Sequence, residues 1–227
     1  MNKLPTLLFC TLATGILLSG CNKEPNTIPQ GNKHRVVEEA VTGMVVEQTE
    51  VGSFLQLVNN SGVPIVVIPD SSYNVVVQAD DVATLSSITT DVTSGTLTVN
   101  APADISSTEA TVFVYAPPVT MVTLGKNGSV EMQGTYSLLN VFMNGTGNLT
   151  LNGQAQSLQI SGSGSGHVNA LNLSAGSVAV STKGAAVAKV APLNSLNVNL
   201  NGNAKVFYTG NPAISKTLKG NSSLQKI

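Results

Sequence analysis

Gly128-Ser129-Val130, Gly147-Asn148-Leu149, Gly166-His167-Val168, Ala185-Ala186-Val187 and Ala204-Lys205-Val206 are five copies of one pattern at intervals of 19 residues. Each sets a small residue two places before an aliphatic one. Eight places before each aliphatic residue stands a member of a second column: Val122, Val141, Ile160, Ala179 or Val198. Columns of matched chemistry at a fixed period mean that successive turns of chain lie stacked on one another. A unit of this length is too short for a pair of helices, and the leucine frame of leucine-rich repeats is missing. The architecture left is all-β: a solenoid whose coils each hold two or three short strands and stack about 4.8 Å apart. Apolar and polar residues exchange with period two through 138–143 and 196–200, as strands with one buried face require.

The small-residue column marks a corner. Glycine there supplies positive φ or lets a neighbouring backbone pass close by; alanine at 185 and 204 suits the second need better than the first. Gly134, Gly153 and Gly210 form a partial second corner, and Gly125, Asn144, Ser163, Thr182 and Asn201 form a column of turn-forming residues. In this register the run from Ser161 to Gly166 is a coil with very small side chains rather than a linker. After Val206 the next aliphatic candidate is Leu224, 18 residues on, so the repeat loosens there. The regular coils are expected over about 119–212.

The amino terminus is a processing signal. Lys3 precedes an apolar run, 4–18, too short for a confident membrane span, which ends in Leu18-Ser19-Gly20-Cys21. That ending resembles the bacterial lipoprotein signal at every position. The resemblance implies a signal peptide at 1–20, with Cys21 acylated as the first mature residue and the protein held on a bilayer by its acyl chains. Asn22, where an aspartate would favour retention, points to the outer membrane. Residues 22–35 are polar with two prolines and read as a flexible tether behind the acylated cysteine, leaving 36–227 as the folded domain.

Composition narrows the rest. Cys10 leaves with the signal and Cys21 is acylated, so no disulfide or cysteine metal site is available. A formal net charge of −1 argues against nucleic acid as a partner. The charges are segregated: 36–131 hold eleven acids and one base, Lys126, whereas 132–227 hold six lysines and no acid. If sequence position is axial position, the rod is negative at one end and positive at the other, a dipole that orients it or pairs copies in opposite directions into a homo-oligomer. The strand edges at the two ends need covering, and 36–50 and 211–227 are the expected covers.

The first half is strand-rich but irregular, with strands expected at 44–48, 54–58, 65–68, 74–78, 96–99 and 111–115. The stretch Tyr73 to Asp81, then Ile88-Thr89-Thr90-Asp91-Val92 and Gly95-Thr96-Leu97-Thr98-Val99, resembles the head GIN domain family of auto-transporter adhesin heads. So do Gly145-Thr146-Gly147, the glycine–serine run Gly162 to Gly166, and Phe207 to Pro212. The resemblance covers nearly all of 36–227 and implies a single-domain right-handed parallel β-helix on an envelope protein, commonly a lipoprotein. It brings no catalytic or ligand-binding residue with it. The chain departs from the family's Gly-x-Gly pattern at Ala185. A separate sandwich over 36–118, capping a shorter solenoid, is the alternative for the first half.

Residues for chemistry are scarce. A polysaccharide-cleaving site needs clustered carboxylates and a base. The regular coils contain one carboxylate, Glu131, and the only mature arginine is Arg35, in the tether. Asp80-Asp81 at a strand end reads as solvated rather than as a cation site. His167, beside the aliphatic column, reads as an outward surface residue, and His34 lies in the tether. There is no Trp. The aromatic candidates for contacting a ligand are Tyr115, Tyr136, Phe207 and Tyr208, and Asn144, Asn148 and Asn172 read as turn and ladder residues rather than glycan sites. The sequence therefore predicts a non-enzymatic, lipid-anchored surface adhesion module without cofactor or metal, meeting a protein or glycan ligand on flat polar strand faces. A periplasm-facing structural or accessory lipoprotein is the alternative, and an enzyme on polysaccharide the third reading.

Overall fold

The computed structural model describes residues 35–39, 44–105 and 107–227. The signal peptide, Cys21 and residues 22–34 of the expected tether lie outside the described residues; Arg35, expected as the tether's last residue, instead opens the first strand and pairs with Thr49. The described residues form sixteen strands and one short helix. The regular part is as the period requires. Four long strands, β10 (Ser129–Met143), β11 (Asn148–Gly162), β12 (His167–Thr182) and β13 (Val187–Gly202), each turn a corner and pair in parallel with the next. Two sheets result, one built from the first segments of these strands and the other from the second. The core between them is a set of ladders, such as Val130–Leu149–Val168 and Val141–Ile160–Val180, all buried.

One step of the period is wrong by a residue. The register between β11 and β12 shifts between Thr150 and Asn152, which adds a residue near Leu171. His167 then pairs with Val187 and Val168 with Ala188. The coil is 20 residues long at that point, the next is 18, and Ala188 pairs with Val206. So Ala188 and Val180, rather than Val187 and Ala179, stand in the core ladders. Ala186 rather than Ala185 takes the small-residue column, and it is buried.

The same shift moves Thr182 out of the turn column and into the core, between Gly162 and Leu200. Its hydroxyl is buried with no hydrogen-bond partner. A buried unmatched hydroxyl carries its desolvation penalty uncompensated, so Thr182→Val should stabilise the protein by about 1 kcal/mol. A thermal melt reads this as a rise of roughly 2–4 °C.

The first half continues both sheets, but not in chain order. β3 (Gln56–Asn60) lies between β7 (Thr96–Asn100) and β9 (Met121–Leu124), parallel to both. β4 (Ile65–Pro69) lies between β8 (Ala110–Ala116) and β10, again parallel to both. The coil made by β3 and β4 is thus inserted between two coils that follow it in sequence. Axial position does not follow sequence position here, because the chain leaves room for β3–β4 and returns on its far side. The sheets run unbroken through this region rather than stopping at a separate sandwich.

Beyond the β7–β8 coil the pairing turns antiparallel. β5 (Asn74–Ala79), β2 (Val45–Glu50) and β1 (Arg35–Glu39) extend the first sheet in that order, and β6 (Thr89–Thr93) extends the second. Helix α1 (Val82–Ser87) packs against β5 and β2 with Leu85 buried. Neither α1 nor β6 was expected from the sequence. The helix starts at Asp81, whose carboxylate accepts from the Thr84 N–H at 2.8 Å and the Thr84 hydroxyl at 3.2 Å, an N-cap.

At the carboxyl end, 211–227 is not a cover. It forms a further coil, β15 (Ala213–Gly220) on β13 and β16 (Ser223–Lys226) on β14 (Lys205–Tyr208). The alternation of Ile214 and Leu218 with polar residues continues the ladders, which Pro212 and the lysines mask in the sequence.

Candidate functional site

Successive residues of a strand point to opposite faces, so every core ladder has an outward one beside it. On the first sheet an outward row runs Gln48, Val76, Phe113, Val66, Glu131, Thr150, Asn169, Lys189, Phe207 and Gln225. Its chemistry changes along the axis. Val76, Phe113 and Val66 are partly exposed, and Ile68 and Tyr115 stand beside them in the next row with Asn74. Five apolar or aromatic side chains therefore share one solvent-facing patch. Further along, the row is amide and hydroxyl, then Lys189 and Phe207.

Acidic and polar groups rim the patch. Asp70 accepts from the Ser72 N–H and hydroxyl, each at 2.8 Å, and these bonds hold its carboxyl below the usual carboxylate range. Burial and the nearby Asp70 charge both push the Tyr115 phenol up. Tyr115 thus stays a neutral hydrogen-bond donor beside a carboxylate, on a face it shares with the Phe113 ring.

Two shallow depressions adjoin the polar stretch of the same sheet. One, of about 260 Å³, is lined by Asn148, Thr150, His167, Asn169, Val187 and Lys189. The other, of about 380 Å³, lies between Gly62, Asp104, Ile105, Asn127, Ser129 and Asn148. Asn148 borders both. A third, of about 240 Å³, sits on the second sheet among Ala179, Ser181, Asn197 and Asn199. These are open hollows between amide and hydroxyl side chains, suited to lying against a surface.

The residues singled out in the sequence separate clearly. His167 is exposed, with Asn148 and Val187 as its ladder neighbours, so no carboxylate orients it as a base. Asp80 is exposed, and Asp81 is occupied in capping α1. Glu131 stands outward between Val66 and Thr150, with no second carboxylate in its row. Asn144, Asn148 and Asn172 are exposed. Among the described residues no group of three or more His, Cys, Asp or Glu could hold a metal. Nor is any helix among them long and apolar enough to cross a membrane.

Of the four aromatic candidates, Tyr115 and Phe207 face outward. Tyr208 packs partly against the core and Tyr136 is buried within it. Burial raises the Tyr136 phenol to about 12. An unfolded tyrosine ionises near pH 10, so between about pH 10 and 12 only the unfolded chain loses this proton. The stabilisation is complete below pH 10 and disappears as the pH climbs towards 12. Tyr136→Phe should remove this part of the alkaline loss, flattening a plot of melting temperature against pH in that window.

Phe113, Val66 and Val76 were not singled out in the sequence. The run Ile65-Val66-Val67-Ile68 reads as a strand buried on both sides, and only the pairing shows that its second face is open.

The sequence profile described as "Putative auto-transporter adhesin, head GIN domain" matches residues 53–212. The chain belongs to the head GIN domain family. A crystal structure of a putative adhesin from Bacteroides fragilis is similar to this GIN domain, with a TM-score of 0.66 at 18% identity, covering 81% of this chain and 97% of that one. A crystal structure of a putative lipid binding protein from Parabacteroides distasonis gives a TM-score of 0.51 at 15% identity, covering 82% and 98%. At such identities the likeness is one of fold. No curated protein matches the chain.

Proposed function

We propose that this GIN-domain chain is a lipid-anchored, non-enzymatic adhesion module of the outer membrane, tethered through Cys21 and exposed at the cell surface. The observation that carries the reading is the outward face of the first sheet, where Val66, Val76 and Phe113 in one row and Ile68 and Tyr115 in the next form a partly exposed patch beside flat amide and hydroxyl ladders. A surface of this kind makes contact along a line with a protein or glycan. Membership of an adhesin-head family supports it. The placement of the carboxylates weighs against polysaccharide cleavage, since Glu131 has no second acid in its row and Asp81 is engaged in capping α1.

The first test is protease shaving of intact cells, with lysed cells as control, following the full-length protein. Digestion on intact cells is expected. Protection until lysis would remove the surface reading and leave the second one, an accessory lipoprotein facing the periplasm. On shaved-positive cells, the double change Phe113→Ser and Tyr115→Ser should reduce attachment while leaving the amount of protein on the cells unchanged.

A further inference from the structure

The two ends of the rod are finished differently. At one end β5, β2, β1 and β6 extend the sheets past the last coil, and α1 packs onto the extension. At the other end, all eight residues of β15 are exposed, and among the described residues β15 and β16 pair only on the side of β13 and β14. The core ladders finish there in Ile214, Lys216, Leu218 and Leu224, which stand in register on Leu196, Val198, Leu200 and Val206. Ile214 is 43% and Leu218 37% exposed.

Three of these four ladder ends are aliphatic, and the fourth is an ammonium. Lys216 can occupy a core position because the ladder stops with it. An apolar strand added to this edge would bury that charge without a partner, which is strongly unfavourable. Inward-pointing charges are one way in which natural sheet edges reject indiscriminate pairing. A second copy of the same end is rejected too, since Lys216 and Lys219 would meet their own equivalents. An occupant that satisfies the strand edge, the aliphatic ends and the lysines together is a strand-edged surface carrying carboxylates.

The chain carries such a surface at its opposite end. There β1 and β6 are the outermost strands, and Glu50 and Asp80 are exposed on β2 and just after β5. The strands of that end carry Glu38, Glu39, Glu47, Glu50 and Asp91 against one base, Arg35, whereas β15 and β16 carry Lys216, Lys219 and Lys226 and no acid. We infer that the β15–β16 coil is a docking end for the acidic end of a second copy, so that copies join head to tail. The contact is heterologous, joining unlike patches, and its repetition gives a line of copies rather than a closed pair. This goes beyond the adhesion reading and holds on either side of the membrane.

Sedimentation velocity on the purified full chain tests it. At about 0.01 M salt, where charges act over roughly 30 Å, the mass should at least double; at about 1 M, where the range is roughly 3 Å, it should return to one copy. Lys216→Glu with Lys219→Glu reverses the two exposed charges on β15, and Glu50→Lys with Asp80→Lys reverses the two exposed charges of the opposite end. Each variant alone should stay monomeric at low salt, and a mixture of the two should associate. All four positions are exposed, and a melt of each variant checks that it is folded.

A wild-type chain that stays monomeric at low salt would overturn the proposal. So would assembly that persists in both reversed variants, because the contact would then lie elsewhere. Wild-type chain that floats with vesicles of anionic phospholipid but never self-associates would assign the basic end to a membrane and overturn it equally.

Discussion

Gly147→Val is expected to leave little folded protein. Gly147 sits in the small-residue column, where its N–H donates to the Lys126 carbonyl at 3.0 Å and its own carbonyl accepts from the His167 N–H at 3.0 Å. A Cβ at this position would overlap the Gly128 carbonyl oxygen on one side and come within 3.0 Å of the Leu124 side chain. The obstruction is mostly backbone, so no rotamer change relieves it. Moving residue 147 away breaks both inter-coil hydrogen bonds and parts β11 from the coil before it. Overpacking combined with lost backbone bonds belongs among the most damaging single changes, above about 4 kcal/mol. For a domain of this size that is a fall in melting temperature of roughly 10 °C or more. The measurement is the soluble yield and the melt beside Gly52→Ala, which meets nothing closer than 4.0 Å and should be nearly silent. If Gly147→Val melted with the wild type, close backbone approach would not be what this column is for.

Asn59→Leu should cost about 3 kcal/mol, because it strips partners from several buried backbone groups at once. Asn59 occupies a core position between Val99 and Leu124 and is 1% exposed. Its amide donates to the carbonyls of Val63 at 3.1 Å and Ser129 at 3.3 Å. Its oxygen accepts from the Ser61 N–H at 2.9 Å and the Ser61 hydroxyl at 2.7 Å. One side chain thereby closes the corner between β3 and β4 and ties it to the next coil. Leucine is of similar size but offers none of these bonds. A melt lowered by roughly 6–12 °C is the expected reading. Ser61→Ala, which keeps the Asn59 amide, should show a smaller part of the loss. An unshifted Asn59→Leu melt would mean that the corner is held by packing alone.

The repeat is legible in the sequence because parallel stacking in register puts like residues into each ladder, and a ladder is a period. The slip near Leu171 is not legible. Around Ala185-Ala186-Val187-Ala188, either of two adjacent frames sets a small residue on the glycine column and an apolar one on the ladder. Only the pairing of His167 with Val187 decides between them. The insertion of β3–β4 is hidden for a different reason. Val58 and Val66 look the same whichever strands flank them, and long-range pairing leaves no local mark. The candidate face was half visible: Tyr115 stood out as an aromatic, whereas its neighbours Val66 and Ile68 read as core within an unbroken apolar run.

The inserted coil also governs how the molecule assembles and comes apart. Coils formed by β11 to β16 touch only the coil before and the coil after, so the last can peel away and re-form without disturbing the rest. The β3–β4 coil cannot be laid down in the order it is made. It must wait for residues in 96–132 before both its flanks are filled, and such distant closures are slow. Once in place it is held from both sides. Fraying therefore has a direction, beginning at the carboxyl coil and advancing towards an interleaved clasp that releases last.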